Sequence, residues 1–277
     1  MLAGHSQLFC PPELNLLPFN TLAERAAGLG ECRMERYREL GLHPAQGLER
    51  ALIELLGSGT DARRRIEAWT HAGLEISTVY SILGELVAPR RLVDKSPFYA
   101  ARIDTLRRAE RQFDRPLYIY LFRHPYTVIA SLVRNRFRPG PGHDLFRAGE
   151  SLWTRSNTNI LRFLSAIQPE RQIHVRFENL AREPAPVLTR VCSFLGVAFE
   201  EAVLHPYAGP RMTDGVRPGL AALGDVDFGQ RERIDPEPAD RCRRIRLPIP
   251  LTAAVPVAQT LGYALPFETD TAAVRSC

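Results

Sequence analysis

The chain has 277 residues, 45% of them hydrophobic and 24% charged, and a formal net charge of +5. That length buries a sizeable core without metal or disulfide staples, and that composition excludes general disorder. No apolar run reaches the length of a membrane span, no basic-apolar-small signal pattern opens the sequence, and the five cysteines (Cys10, Cys32, Cys192, Cys242, Cys277) form no Cys-x-x-Cys; the expectation is a protein of the reducing cytoplasm with no membrane contact, disulfide framework or cysteine zinc site.

Residues 1–20 are apolar and punctuated by proline. Leu48, Leu52, Leu55 and Leu56 recur at helical spacing and predict a helix within 44–57. Thr60 or Asp61 is the expected cap of a second helix through Ala72, and 76–87 reads as a third. Arg91–Asp94 reads as a short strand ending in Asp-Lys-Ser-Pro, and 100–113 is helical again. Pro116–Phe122 (PLYIYLF) is a continuous apolar and aromatic run, which predicts a strand covered on both faces. It ends in Arg123-His124-Pro125, with a helical pattern over 126–137 and a PGPG loop at 139–142. A long helix carrying Trp153 is expected over 143–167, a strand over Ile173–Phe177, and a helix over 184–195 closed by Gly196. Residues 205–235 are loop-rich, and two short helical stretches near 236–246 and 251–262 complete the pattern. With no repeat and no long linker, one domain is expected over 1–265, and 266–277 reads as a frayed tail.

Strands alternating with helices predict an α/β fold with a parallel sheet. In such sheets ligands bind beyond the carboxyl ends of the strands. Three strand exits are therefore the places to look: Asp94-Lys95-Ser96, Arg123-His124-Pro125 and Glu178-Asn179-Leu180. Of 36 basic residues only Lys95 is lysine. Arginine and lysine differ at tight anion sites, so a compact ammonium at a strand exit is a candidate functional group. Arg123 brings a planar fork that matches phosphate oxygens, Pro125 suits a first helical turn, and helix N-termini attract anions. One phosphate held by Arg123 and Ser131 is the functional reading of that exit. An arginine paired with a surface carboxylate, and a serine capping its own turn, is the plainer one.

Four segments in chain order carry a family resemblance. PLYIYLFRHPYTVIASLVRNRF (116–137) resembles the 3′-phosphate-binding segment of sulfotransferases that use 3′-phosphoadenosine 5′-phosphosulfate (PAPS), and LVDKSPFYA (92–100) resembles their Asp-Lys-Ser/Thr-Pro turn. VRFENLAREPAPVLTRVCSFLGV (175–197) and PPELNLLPF (11–19) are similar to two further segments of that superfamily. Within it, the chain most resembles the sulfotransferase domain of olefin-forming, curacin-type polyketide synthases. That domain sulfonates the β-hydroxyl of a carrier-bound acyl chain, and a thioesterase then releases the product with loss of carbon dioxide and sulfate.

The resemblance implies a P-loop-NTPase-like three-layer fold with a central parallel sheet. It implies PAPS as co-substrate, adenosine 3′,5′-bisphosphate as product, and no metal. Glu13 becomes the acid–base residue; without the resemblance, Pro-Pro-Glu reads as a helix start with Glu favoured in the first turn. Lys95 becomes the cation beside the transferring group, or beside the carrier arm. Arg123, Ser131 and Arg217, with Arg211 as the less favoured alternative, become the cofactor-binding set. The acceptor is a carrier-bound β-hydroxyacyl chain or a free hydroxyl compound. His124 stands where many relatives carry Asp or Asn, and Arg231 where the polyketide relatives carry His. His205 borders the loop expected to cover the nucleotide.

The family's Gly-x-Pro-Arg-Ser-Gly-Thr-Thr loop, whose backbone N–H groups hold the 5′-phosphosulfate, does not occur in the sequence. Met1–His5 resembles the end of the helix that should follow it. The expectation is a chain that begins just after its cofactor loop, with the first strand lacking and an open seam in the sheet. Either the true start lies upstream, or the chain is a remnant acting as a nucleotide- or carrier-binding module. A nucleic-acid-binding domain ranks low, because acids are interspersed among the arginines. The scattered histidines offer no metal-ligand spacing, and no Gly-x-Ser-x-Gly elbow supports a nucleophilic triad.

Overall fold

The computed structural model describes residues 1–30, 46–134, 144–208 and 232–265. A 3-10 turn at Leu2–Gly4 leads into a buried two-residue strand, β1 (Leu8–Phe9). Helices α1 (Leu22–Gly30), α2 (Gln46–Leu56), α3 (Gly59–His71) and α4 (Ile76–Val87) follow, before β2 (Arg91–Leu92). Then come a 3-10 turn at Pro97–Ala101, α5 (Ile103–Gln112) and β3 (Tyr118–Phe122). Helices α6 (Pro125–Arg134) and α7 (Leu145–Leu164), strand β4 (Gln172–Arg176), and helices α8 (Phe177–Arg182) and α9 (Pro184–Leu195) continue the alternation. Two short helices, α10 (Arg241–Arg244) and α11 (Val255–Thr260), complete the described chain.

The helix ends follow capping chemistry. Ser58, rather than the expected Thr60 or Asp61, caps α3 and accepts from the Asp61 amide, because the serine stands one residue before the first helical turn. Asp144 caps α7 by accepting from the Phe146 and Arg147 amides. Pro125 opens α6, where no amide proton is needed. Gly196 closes α9 at φ 68°, a left-handed conformation that glycine adopts without a Cβ penalty.

Both strand pairs among the described residues are parallel, as the alternation of strands and helices predicts. β1 pairs with β2, matching Phe9 to Leu92, and β3 pairs with β4, matching Phe122 to Arg176. The described strands therefore form two parallel pairs rather than one continuous sheet. Helices cover both faces of the β3–β4 pair, giving three layers. Tyr120 packs with Trp153, Phe163 and the 251–265 segment on one face. Ile119 and Val175 pack with Val191, Cys192 and Leu195 of α9 on the other. Leu8 and Val93 join this second cluster, so it ties the two strand pairs together. A third cluster gathers Leu14, Leu16, Leu48, Leu52, Val79 and Leu83 around α1, α2 and α4.

Two sequence expectations need correction. Residues 8–9 are a strand that proline punctuation concealed, because a two-residue strand has no period to detect. β3 is not covered evenly: Leu121 is 53% exposed, on the same face as Ile119. Among the described residues, β3 has a partner on only one edge, and nothing packs over that part of its face.

Candidate functional site

Register brings the first two candidate groups together. Phe9 lies opposite Leu92, and the Val93 amide extends the pairing to the Phe9 carbonyl at 2.8 Å. The chains leaving both strands run side by side, so Glu13 and Lys95 meet beyond the carboxyl ends. Lys95 Nζ lies 2.9 Å from Glu13 Oε1. The carboxylate side chain is 7% exposed and the ammonium 60%. The result is a charge-assisted hydrogen bond with its acid enclosed and its cation facing solvent.

The Glu13 backbone is held from several sides. Gly47, on the first turn of α2, lies so close that a Cβ there would stand 1.9 Å from the Glu13 carbonyl oxygen. Buried Arg25 donates to the Leu14 carbonyl at 2.8 Å and the Asn15 carbonyl at 3.1 Å. Burial pulls the Arg25 guanidinium down to about 10. Asn15 itself adopts φ 50°, in the left-handed region.

The second candidate group stands at the β3 exit. Arg123 Nε is fully enclosed and has no hydrogen-bond partner among the described residues. One terminal nitrogen reaches the Pro238 carbonyl at 3.3 Å, and the guanidinium lies 4.0 Å from the Phe177 ring centroid. Burial disfavours its charge, Glu178 opposes that effect, and Arg241 and Arg134 add to it. A guanidinium so placed has unused donors and lies among other cations, an arrangement suited to an anion. Ser131 lies in the second turn of α6, the helix that starts beside Arg123.

Four candidate residues near Arg123 make structural hydrogen bonds. Trp153 is buried and donates from Nε1 to the Arg123 carbonyl at 3.1 Å. Asn157 accepts from Tyr120 at 2.6 Å and donates to the Trp153 carbonyl, while Asn159 donates to Ala100. His124 is buried, its Nδ1 accepts from the Tyr126 amide, and it packs edge-on against Tyr126 and Tyr263. Burial lowers its pKa, so the neutral ring is favoured. His205 is exposed and sits 3.8 Å from Glu201. Arg211, Arg217 and Arg231 lie outside the described residues.

Sequence reasoning missed two carboxylates as anchors. Glu178 is buried, accepting from the His124 amide at 3.0 Å and from Tyr263 at 2.8 Å. It thereby locks the β3 exit to the start of α8 and to the C-terminal part of the described chain. Asp94 is partly buried and accepts from Tyr80, Tyr99 and Ser96. Both residues lay inside recognised motifs, but sequence proximity cannot distinguish an anchor from a reacting group. Among the described residues, no group of three His, Cys, Asp or Glu side chains is arranged to hold a metal, and no helix is long and apolar enough to cross a membrane.

The model of the sulfotransferase family matches residues 1–201. The structure is similar to the sulfotransferase domain from the curacin biosynthetic pathway, with 41% identity over 96% of this chain and 92% of that one, and a TM-score of 0.86. It is also similar to the sulfotransferase domain from the Synechococcus PCC 7002 olefin synthase, with 38% identity over 96% of this chain and 89% of that one, and a TM-score of 0.84. The comparison with curated proteins gave no match.

Proposed function

Because the chain belongs to the sulfotransferase family, we propose that it transfers a sulfuryl group from PAPS to the β-hydroxyl of a carrier-bound acyl chain. The observation that carries this reading is the Glu13–Lys95 pair at a parallel-strand exit. An ionised carboxylate that is mostly enclosed can accept a proton from an incoming hydroxyl. The adjacent ammonium offsets negative charge on the transferring sulfuryl group.

The reaction balances without a covalent enzyme intermediate. The acceptor O–H gives its proton to Glu13 while the acceptor oxygen forms a bond to sulfur. The bond from sulfur to the 5′-phosphate oxygen breaks, and adenosine 3′,5′-bisphosphate leaves with the electron pair. Arg123, with its unbonded Nε, is assigned to the 3′-phosphate, and Ser131 assists it from α6. Arg217 is assigned to the same phosphate on resemblance alone. The likeness to sulfotransferase domains of a curacin biosynthetic pathway and an olefin synthase supports this acceptor class; a free hydroxyl compound is the competing acceptor.

A second reading is a nucleotide- or carrier-binding module without turnover. It is favoured by the separation of the strand pairs and by the exposed Leu121 face of β3. One experiment addresses both: incubation with radiolabelled PAPS and a carrier protein loaded with a β-hydroxyacyl chain, alongside calorimetry with adenosine 3′,5′-bisphosphate. Label appearing on the acyl chain supports the transferase. Nucleotide binding without label transfer selects the binding module. Absence of both nucleotide binding and transfer refutes the transferase and the nucleotide-binding module, and calorimetry with the loaded carrier protein then decides the carrier-binding module.

A further inference from the structure

We propose that Asp94 is a positioning residue that clamps the Glu13 loop onto the Lys95 turn, resting on the reading of Glu13 and Lys95 as the reacting pair. Three successive backbone amides of the loop converge on this one carboxylate. The Leu14 amide reaches it directly. The Asn15 amide donates to Ser96 Oγ at 3.1 Å, and Ser96 donates on to Asp94 Oδ1 at 3.1 Å. The Leu16 amide donates to the Tyr99 hydroxyl at 3.0 Å, and Tyr99 donates on to Asp94 Oδ2 at 2.8 Å.

The hub is one residue from each reacting group. Asp94 precedes Lys95, and Leu14 follows Glu13. The hydrogen bonds therefore set the distance between the carboxylate and the ammonium. Groups held within a fraction of an ångström of productive geometry need supports of this kind. The left-handed Asn15 lets consecutive amides turn toward a common acceptor.

Tyr80 supplies an internal control. Its hydroxyl donates to the same Asp94 Oδ2 at 2.5 Å and lies 3.4 Å from the Tyr99 hydroxyl. It relays no amide of the loop. Tyr80→Phe and Tyr99→Phe each remove one buried hydroxyl from the same carboxylate, but only the second cuts a link to Leu16.

The test compares these two variants in the full chain. Amide hydrogen exchange reads the clamp with no substrate present. Tyr99→Phe should speed exchange at Asn15 and Leu16 tenfold or more, and Tyr80→Phe by less than twofold. In sulfuryl transfer, Tyr99→Phe should lower kcat at least tenfold with the KM for PAPS within twofold, and Tyr80→Phe should keep wild-type kcat. Ser96→Ala, which cuts the Asn15 link, should behave like Tyr99→Phe. Equal loss of protection in the two tyrosine variants overturns the clamp, because the network is then ordinary core packing. A Tyr99→Phe enzyme with wild-type kcat overturns it too. A fully active Glu13→Gln enzyme beside a slow Tyr99→Phe enzyme removes Glu13 from catalysis and leaves the clamp acting on Lys95.

Discussion

The two strand exits treat charge in opposite ways. Around Glu13, the acid meets an ammonium, and the adjacent partly buried carboxylate of Asp94 accepts hydrogen bonds from its surroundings. Around Arg123, a guanidinium is drawn into the protein with no partner for its Nε among the described residues, attracted by Glu178 and repelled by Arg241 and Arg134. Burying charge is costly unless it is paired and hydrogen-bonded. The first exit meets that condition with its own residues. The second has the Glu178 carboxylate nearby, yet among the described residues its Nε has no hydrogen-bond partner. The difference separates a closed acid–ammonium pair from a guanidinium with a donor left over among the described residues.

The largest test of this contrast is Glu13→Gln. Turnover should fall about 10²–10⁴-fold, the range that a lost general base produces. Affinity for adenosine 3′,5′-bisphosphate, read by calorimetry, should stay within about twofold if the two exits act separately. Arg123→Ala should do the reverse. It should weaken that nucleotide by about 1.5–3 kcal/mol, the worth of a charged hydrogen-bonding group. Unchanged affinity would remove Arg123 from the phosphate site.

Gly47→Ala probes the backbone beneath the first exit. A Cβ placed 1.9 Å from the Glu13 carbonyl oxygen must push the loop or the helix aside. Overpacking of this kind costs about 1–3 kcal/mol, read as a lower midpoint in chemical denaturation. Turnover should fall with it, whereas nucleotide affinity should hold. A loss of nucleotide binding equal to the loss of turnover would mean that the two exits are not independent.

The smallest effect lies away from both exits. Arg171 donates to Glu110 at 2.9 and 2.8 Å and holds its carboxyl below the usual value of about 4.5. The folded pKa is thus lower than the unfolded one. The stabilisation is complete above the unfolded value and is lost as pH falls through the folded value. Glu110→Gln should therefore cost about 0.5 kcal/mol at pH 7, the scale of a partly exposed ion pair, and nothing once the wild-type carboxyl is protonated. A gap between the two proteins that persists in strong acid would assign the effect to packing instead.

Much of the fold was legible because long elements carry strong periodic signals. α7, α9 and β3 lie where their patterns place them, within a few residues at their ends. β1 was hidden because two residues have no periodicity, and the exposure of Leu121 was hidden because an apolar run does not say which neighbours are present. At the site, Glu13, Lys95 and Arg123 were all named from motifs, and the structure joins the first two.

By itself, the sequence determined the alternation of strands and helices, the motif order that marks the family, and the identity of the groups able to do chemistry. Those are local properties of residue type and spacing. Only the tertiary structure decided that Glu13 lies against Lys95, that Arg123 Nε finds no partner among the described residues, and that Asp94 and Glu178 are anchors. Each of these depends on contacts between segments far apart in the chain. Such contacts are set by strand register and by the need of buried polar groups for partners, and neither can be read from neighbouring residues alone.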